Sequence, residues 1–241
     1  MEMEEYRNMA RLEESLWWYR ALHEWTFSKL NETQWRGSRL LDAGSGSGGF
    51  LRFLENRRCD ADPIGLEIHP EALTSARTKT SSPLIQGTTN QLPLQSNSID
   101  FLLCIDVLYH KNVDDQKSLK EFARCLKPQG ALILHVPAYQ WLRSYHDRSV
   151  HAKQRYTSHQ LRRALAAAGF VDISSGYRLG LLFPAVILRR KYLNRPGSDV
   201  ERIPHLLNNM LYHITRIEDM LSSKGLSIPF GSSTWATARK P

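Results

Sequence analysis

The chain has 241 residues, enough to bury one core without requiring two domains. Hydrophobic residues at 41% and charged residues at 23% exclude a disordered or membrane-embedded chain and leave an ordinary soluble fold. The formal charge of +8 is noticeable without being extreme, and three cysteines with no CxxC spacing (Cys59, Cys104, Cys125) argue against a disulfide scaffold or a zinc site.

The acidic start, Met1 to Glu5, lacks the basic-then-apolar layout of a signal peptide, so a cytoplasmic protein is expected. Residues 5–30 read as one amphipathic helix, with Leu12, Leu16, Tyr19, Leu22 and Leu30 at helical spacing. Residues 39–43 form a short apolar strand that ends in a glycine-rich turn, and residues 50–56 a helix. A second strand spans 63–67, and Pro70 opens a second helix at a position where proline is tolerated. Residues 84–86 make a weak third strand and 99–104 a stronger fourth. Asp114 can cap a helix running to about Leu126, residues 127–130 read as a turn, and 131–136 as a buried fifth strand. Ser158 can cap a helix that stops at Gly169, followed by a sixth strand at 170–174, helical stretches at about 180–193 and 202–223, and a closing strand at 232–239. The apolar run Leu179 to Leu188 is too short to cross a bilayer as a helix and is interrupted by Gly180 and Pro184. Strands alternating with helices predict a mostly parallel sheet covered on both faces, with ligands at the carboxyl ends of its strands.

The segment 41–49 (Leu-Asp-Ala-Gly-Ser-Gly-Ser-Gly-Gly) lies between a predicted strand and a predicted helix. Glycines there let the backbone turn sharply and approach a ligand, and the helix start presents free amides. Glu67 ends the next strand, where a carboxylate can accept both hydroxyls of a ribose. Gly44, Gly46 and Gly49 also satisfy the dinucleotide spacing GxGxxG, so this segment by itself leaves two nucleotide readings open.

The surroundings discriminate between them. The glycine segment resembles the first motif of class I S-adenosylmethionine-dependent methyltransferases, and residues 65–73 resemble the second. Residues 91–94 with 98–101, residues 106–110 and residues 126–132 resemble three further landmarks of that family, in order. The resemblance is closest to its broad small-molecule branch, often called type 11. It implies a Rossmann-like α/β fold with a seven-stranded, mostly parallel sheet, and S-adenosylmethionine as cofactor with S-adenosylhomocysteine as product. It further implies that Gly44, Ser45, Gly46 and Gly48 approach the methionine part and that Asp42 orients its ammonium, while Glu67 holds the ribose and Ile68 packs on the adenine. By the same resemblance Cys104 lies beside the methionine moiety. Where the family often carries an Asp near the adenine amino group, this chain has Thr88, which offers a neutral contact.

Residues 12–20 (Leu-Glu-Glu-Ser-Leu-Trp-Trp-Tyr-Arg) resemble a leader in some bacterial members, where the helix folds over the cofactor. Tyr19 and Arg20 would then close the pocket, with Arg20 on the methionine carboxylate. A packed amphipathic helix with an exposed arginine would read the same way. The run 139–156 is the least generic part of the chain and holds the acceptor candidates. His146, His151 and His110 are candidate bases, since histidine titrates near neutral pH. Arg143, Arg148 and Arg155 can hold a carboxylate or phosphate, and Tyr145 and Tyr156 can line a cavity. His146, His151 and Asp147 match no strong metal-ligand spacing, so no metal is expected.

The expected layout is a single domain over 1–241, with a helical cap at 1–36 and substrate-side insertions at 137–160 and 177–230. The expected function is methyl transfer to a small organic acceptor, with oxygen slightly favoured: a secondary metabolite or a glycan- or lipid-linked intermediate. The basic clusters at 143–163 and 189–191 fit an anionic or amphiphilic acceptor as well as plain solvated surface. RNA or protein methylation, a non-catalytic cofactor-binding module and a dehydrogenase are the rival readings, although no nucleic-acid-binding motif is present. The apolar-then-basic segment after Leu179 leaves peripheral membrane contact and a homodimer open.

Overall fold

The computed structural model describes residues 3–33, 35, 37–192 and 200–241. A seven-stranded sheet runs through it in the order β3-β2-β1-β4-β5-β7-β6. Its strands are β1 (Arg39–Ala43), β2 (Asp62–Glu67), β3 (Leu84–Gln86), β4 (Ile99–Ile105), β5 (Leu126–Pro137), β6 (Val171–Arg178) and β7 (Ser233–Arg239). Only the pairings of β7, with β5 and β6, are antiparallel. Leu40 and Leu41 of β1 are both fully buried, as a strand covered on two faces requires. From β1 the chain steps outward through β2 to β3, then returns to lay β4 on the other side of β1. That reversal leaves a crevice beyond the carboxyl ends of β1 and β4.

Helices α3 (Gly49–Asn56), α4 (Pro70–Arg77), α5 (Asp115–Cys125) and α7 (Ser158–Ala167) are the crossovers. Pro70 stands at the start of α4, and the Asp114 side chain accepts the Lys117 amide at 3.1 Å to cap α5, both as expected. The cap of α7 is Thr157, one residue before the expected Ser158. Thr157 and Gln160 exchange side-chain and backbone hydrogen bonds there, while Ser158 Oγ pairs with Ser175 Oγ at 2.8 Å.

The helix expected over 5–30 is two helices, α1 (Met3–Leu12) and α2 (Trp17–Asn31). Leu12 and Leu16 are both buried, so the apolar period continues across the break between the two helices and cannot reveal it. The predicted turn at 127–130 is instead a bulge inside β5: Ile99 pairs with Leu126 but Phe101 with Ala131, and Gln129 takes a φ of 64°. The insertion after β5 carries a 3-10 turn (Gln140–Leu142) and a short helix α6 (Tyr145–Ser149), where only loop was expected. The two later helical stretches are α8 (Phe183–Tyr192) and α9 (His205–Ser223), and residues 193–199 of that insertion lie outside the described residues. No described helix is long and apolar enough to cross a membrane.

Candidate active site

A cavity of about 920 Å³ occupies the crevice beyond β1, β2 and β4. Its floor begins at the turn after β1, where the amides of Gly44 and Ser45 donate to the Leu66 carbonyl at 2.7 and 2.9 Å. Gly44 has a φ of 100°, and a Cβ built there would lie 2.2 Å from Val107 Cγ2. Only glycine lets this loop lie against the segment that follows β4. Gly46 faces open space. Ser45 Oγ is buried and has no hydrogen-bond partner among the described residues. Gly48 turns away and packs toward Ala76 of α4, so it does not line the cavity.

Glu67 is locked by backbone. Its Oε1 accepts the His69 amide at 2.8 Å and its Oε2 the Gly46 amide at 3.0 Å. Burial pushes its carboxyl up, although these amides and that of Ile68 pull the other way. Asp42 is pushed up to about 7 by burial and by the nearby charges of Glu67 and Glu13. Glu13 sits in the break between α1 and α2, where burial raises it against the ion pair with Lys79 and the Ser47 hydroxyl. Three carboxyls crowded into one buried floor favour a positively charged ligand, because a cation relieves their mutual repulsion.

Thr88 and Ile68 also line the cavity, Ile68 being half exposed. Tyr6 of α1 lies against His69, with ring centroids 4.6 Å apart. Tyr19 is partly buried where it lines the cavity, and desolvation drives its hydroxyl well up. Arg20 does not reach the cavity. Its guanidinium stands 4.2 Å over the Tyr212 ring and bonds Asn209 at 3.2 Å, tying α2 to α9. Cys104 is fully buried in the core, and the cavity wall at the end of β4 is formed by Ile105, Asp106 and Val107 instead.

His110, His146 and His151 also line the cavity, and bonds from His110 to Val150 and from the Lys111 amide to the His151 carbonyl gather them into a second lobe. His110 Nδ1 donates to the Val150 carbonyl at 2.8 Å, its ring stacks on Tyr109, and burial lowers its pKa, so the imidazole is neutral near pH 7. His146 Nδ1 lies 3.6 Å from Glu5 of α1. Arg155 touches this lobe but is buried and bidentate to Asp147, at 2.7 and 3.0 Å, with a third bond to the Ala138 carbonyl. Burial works to raise the Asp147 carboxyl, but Arg155, the Ser144 amide and Arg190 hold it below the usual range.

Four expected acceptor residues lie off the cavity. Arg143 donates to the carbonyls of Ala152 and Lys153, Arg148 covers the Tyr145 ring, and the Tyr156 hydroxyl donates to Asp115 at 3.0 Å from the core. They brace the insertion because its polar backbone, carried over the sheet end, needs partners. The positive charge that does line this lobe comes from Lys111, Arg189 and Arg190, beside apolar Val186, Leu207 and Leu211.

Sequence reasoning missed Glu13, Tyr6, His69 and Asp106 as lining residues. Tyr6, Met9, Glu13 and Leu16 all line the cavity at helical spacing, so an acid on the apolar face of the first helix was the available signal. Asp106 has a φ of 54°, and its Oδ1 accepts from Nδ1 of His135 at 3.0 Å. His135 is fully buried between Trp18 and Trp25, a pairing no spacing announces.

Residues 41–134 match the family model described as "Methyltransferase domain", and an overlapping match, "Anamorsin, N-terminal", covers 88–201. The first match places a methyltransferase domain over residues 41–134, the stretch that carries the glycine turn, Glu67 and strands β2 to β4. A malonyl-[acyl-carrier protein] O-methyltransferase of Laribacter hongkongensis is 29% identical over 151 residues, covering 55% of this chain and 50% of that protein. The chain spans about half or less of the length of the curated relatives it matches. Among solved structures, a methyltransferase from Thermotoga maritima superposes with a TM-score of 0.62 at 19% identity, over 99% of this chain and 95% of that one. Phosphoethanolamine N-methyltransferase 2 of Haemonchus contortus, in complex with phosphomonomethylethanolamine and S-adenosylhomocysteine, has a TM-score of 0.62 at 17% identity, over 93% of this chain and 53% of that one. At these identities the likeness is one of fold.

Proposed function

We propose that this chain transfers the methyl group of S-adenosylmethionine to a small anionic or amphiphilic organic acceptor, with oxygen favoured as the receiving atom. The observation that carries the reading is one cavity lined by two unlike sets of side chains. Asp42, Glu67 and Glu13 gather at its floor, while His110, His146, His151, Lys111, Arg189 and Arg190 line it together with apolar Val186, Leu207 and Leu211.

The floor fits the cofactor. Glu67 has acceptor positions left after its two amide bonds, which suit ribose hydroxyls. Asp42 suits the ammonium, Ser45 Oγ is a buried hydroxyl in need of a partner, and Ile68 offers an apolar surface to the adenine. S-adenosylmethionine supplies an activated methyl group on a sulfonium centre, so the protein's remaining tasks are alignment and proton removal. His146, His151 and His110 face the acceptor lobe and are the proposed bases, with His110 held as the neutral imidazole that a base requires. Lys111, Arg189 and Arg190 suit a carboxylate or phosphate, and Val186, Leu207 and Leu211 suit an apolar body. The malonyl group and the phosphomonomethylethanolamine named for the two relatives are anionic, which supports the class of acceptor without naming one.

Calorimetric titration with S-adenosylhomocysteine tests the reading. Micromolar binding is expected, weakened at least tenfold in Glu67→Ala, in line with about 1.5–3 kcal/mol for a hydrogen bond to a charged group. A folded wild type that does not bind overturns it. Binding in hand, a screen of carboxylated and phosphorylated amphiphiles for a methyl mass increase tests the acceptor class.

A further inference from the structure

We propose that the outward faces of α8 and α9 dock this chain on an anionic lipid surface. On α9, Leu206, Met210, His213, Ile217 and Met220 are exposed and follow one another at steps of four and three residues. That spacing puts them in one stripe along one helix face, about 21 Å long at 1.5 Å per residue. Leu206 is 84% exposed, and Met210, Ile217 and Met220 are each about half exposed.

The stripe carries no carboxylate, although α9 contains two. Glu218 is buried and accepts the amides of Gly180 and Leu181 at 2.9 Å each. Asp219 is turned inward to a bidentate pair with Arg178. On and beside α8, Leu181, Leu188 and Tyr192 are exposed, and exposed Trp141 and Phe230 both meet Phe183, at 6.0 and 5.6 Å. The exposed charges over 181–192 and 200–230 are Arg189, Lys191, Arg202 and Lys224 against Glu201 alone.

Exposed apolar and aromatic groups, with exposed cations on the same segments, match the chemistry of an anionic bilayer interface. A second copy seated on the same face would set these cations against themselves. The docking does not depend on the methyl-transfer reading. One consequence does: α8 and α9 also line the cavity with Val186, Leu207 and Leu211, so a docked molecule holds its acceptor lobe about one helix diameter, ~10 Å, from the lipid.

Co-sedimentation of the full chain with vesicles tests the proposal, comparing phosphatidylcholine alone with phosphatidylcholine mixed with phosphatidylglycerol. Binding is expected to the mixed vesicles only, and to fall by about tenfold or more in Arg202→Glu/Lys224→Glu, at about 1 kcal/mol per cation. Met210→Glu/Ile217→Glu should abolish it. None of these four side chains lines the cavity, so S-adenosylhomocysteine titration and circular dichroism of both variants should match wild type. Absence of vesicle binding, or equal binding to the neutral vesicles, overturns the proposal. So does a wild-type dimer in analytical ultracentrifugation that Met210→Glu/Ile217→Glu converts to monomer, since a second copy would then occupy the stripe. Failure of the methyl-transfer reading would appear separately, as loss of S-adenosylhomocysteine binding by the wild type.

Discussion

Asp42 shows how one residue couples burial, charge and ligand. Its folded-state pKa is about 7 against 3.8 for an ordinary aspartate, because burial comes first and the charges of Glu67 and Glu13 add to it. The folded chain therefore holds this proton through a range where the unfolded chain has released it. Asp42's contribution to stability is complete below about pH 4 and is lost as pH rises through about 7. Chemical denaturation across that range should show a flatter pH slope in Asp42→Asn than in wild type. A cationic ligand reverses the preference and favours the ionised carboxylate. S-adenosylmethionine binding near pH 6 should release a proton and tighten as pH rises toward 7. Calorimetry in two buffers of different ionisation enthalpy reads that proton directly, and identical heats would show that Asp42 does not face the ligand's charge. Glu67 was legible as a site residue because it ends the strand after the glycine turn, and Asp42 because it stands in the glycine segment that carries the family resemblance. Glu13 was not, since a helix period records which face is apolar and not where the helix breaks.

At the scale of elements, the insertion after β5 is organised by one buried ion pair. Arg155 and Asp147 are both almost fully buried, and Arg190 of α8 approaches the same carboxylate at 3.5 Å. Asp147 also accepts the Ser144 amide at the start of α6, so one carboxylate joins α6, α8 and the end of the insertion. Removing one partner of such a pair leaves the other buried and uncompensated. Arg155→Met should lower stability by about 3–5 kcal/mol in urea denaturation. A loss of less than about 1 kcal/mol would mean that water or Arg190 already compensates Asp147. The sequence marked this stretch as the unusual one, and its titratable residues do include lining groups, His146, His151 and Arg155. Which arginines face the cavity could not be read from it. Spacing within a loop carries no period, so Arg143, Arg148 and Arg155 look alike until their partners are known.

At the scale of the whole molecule, α9 binds the cap to the sheet. Arg20 of α2 reaches Tyr212 and Asn209, Asn208 accepts the Trp17 amide, and Arg178 of β6 joins Asp219 to the Ala21 carbonyl. By contrast, α1 is held mainly at the cavity rim, through Tyr6 on His69, an exposed Arg7–Glu71 pair at 3.6 Å and Asn8 on the Val200 carbonyl. A ligand under α1 adds contacts to this helix. Hydrogen exchange at residues 3–12 should slow severalfold on addition of S-adenosylhomocysteine, while exchange in β1 and β4 stays unchanged. Equal exchange at residues 3–12 with and without ligand would show that α1 does not close over the cofactor.

The sequence by itself determined the alternation of strands and helices, the glycine turn after β1 and the acid at the end of β2. These are local: each follows from a period, a cap or a turn that a few neighbouring residues dictate, and the class I resemblance lies in the same stretch. Only the tertiary structure decided that Glu13 joins Asp42 and Glu67, that His135 stands behind Asp106, and that Lys111, Arg189 and Arg190 line the same cavity. Those groups come from elements far apart in the chain, and their meeting is set by strand order and helix packing, which local sequence does not encode.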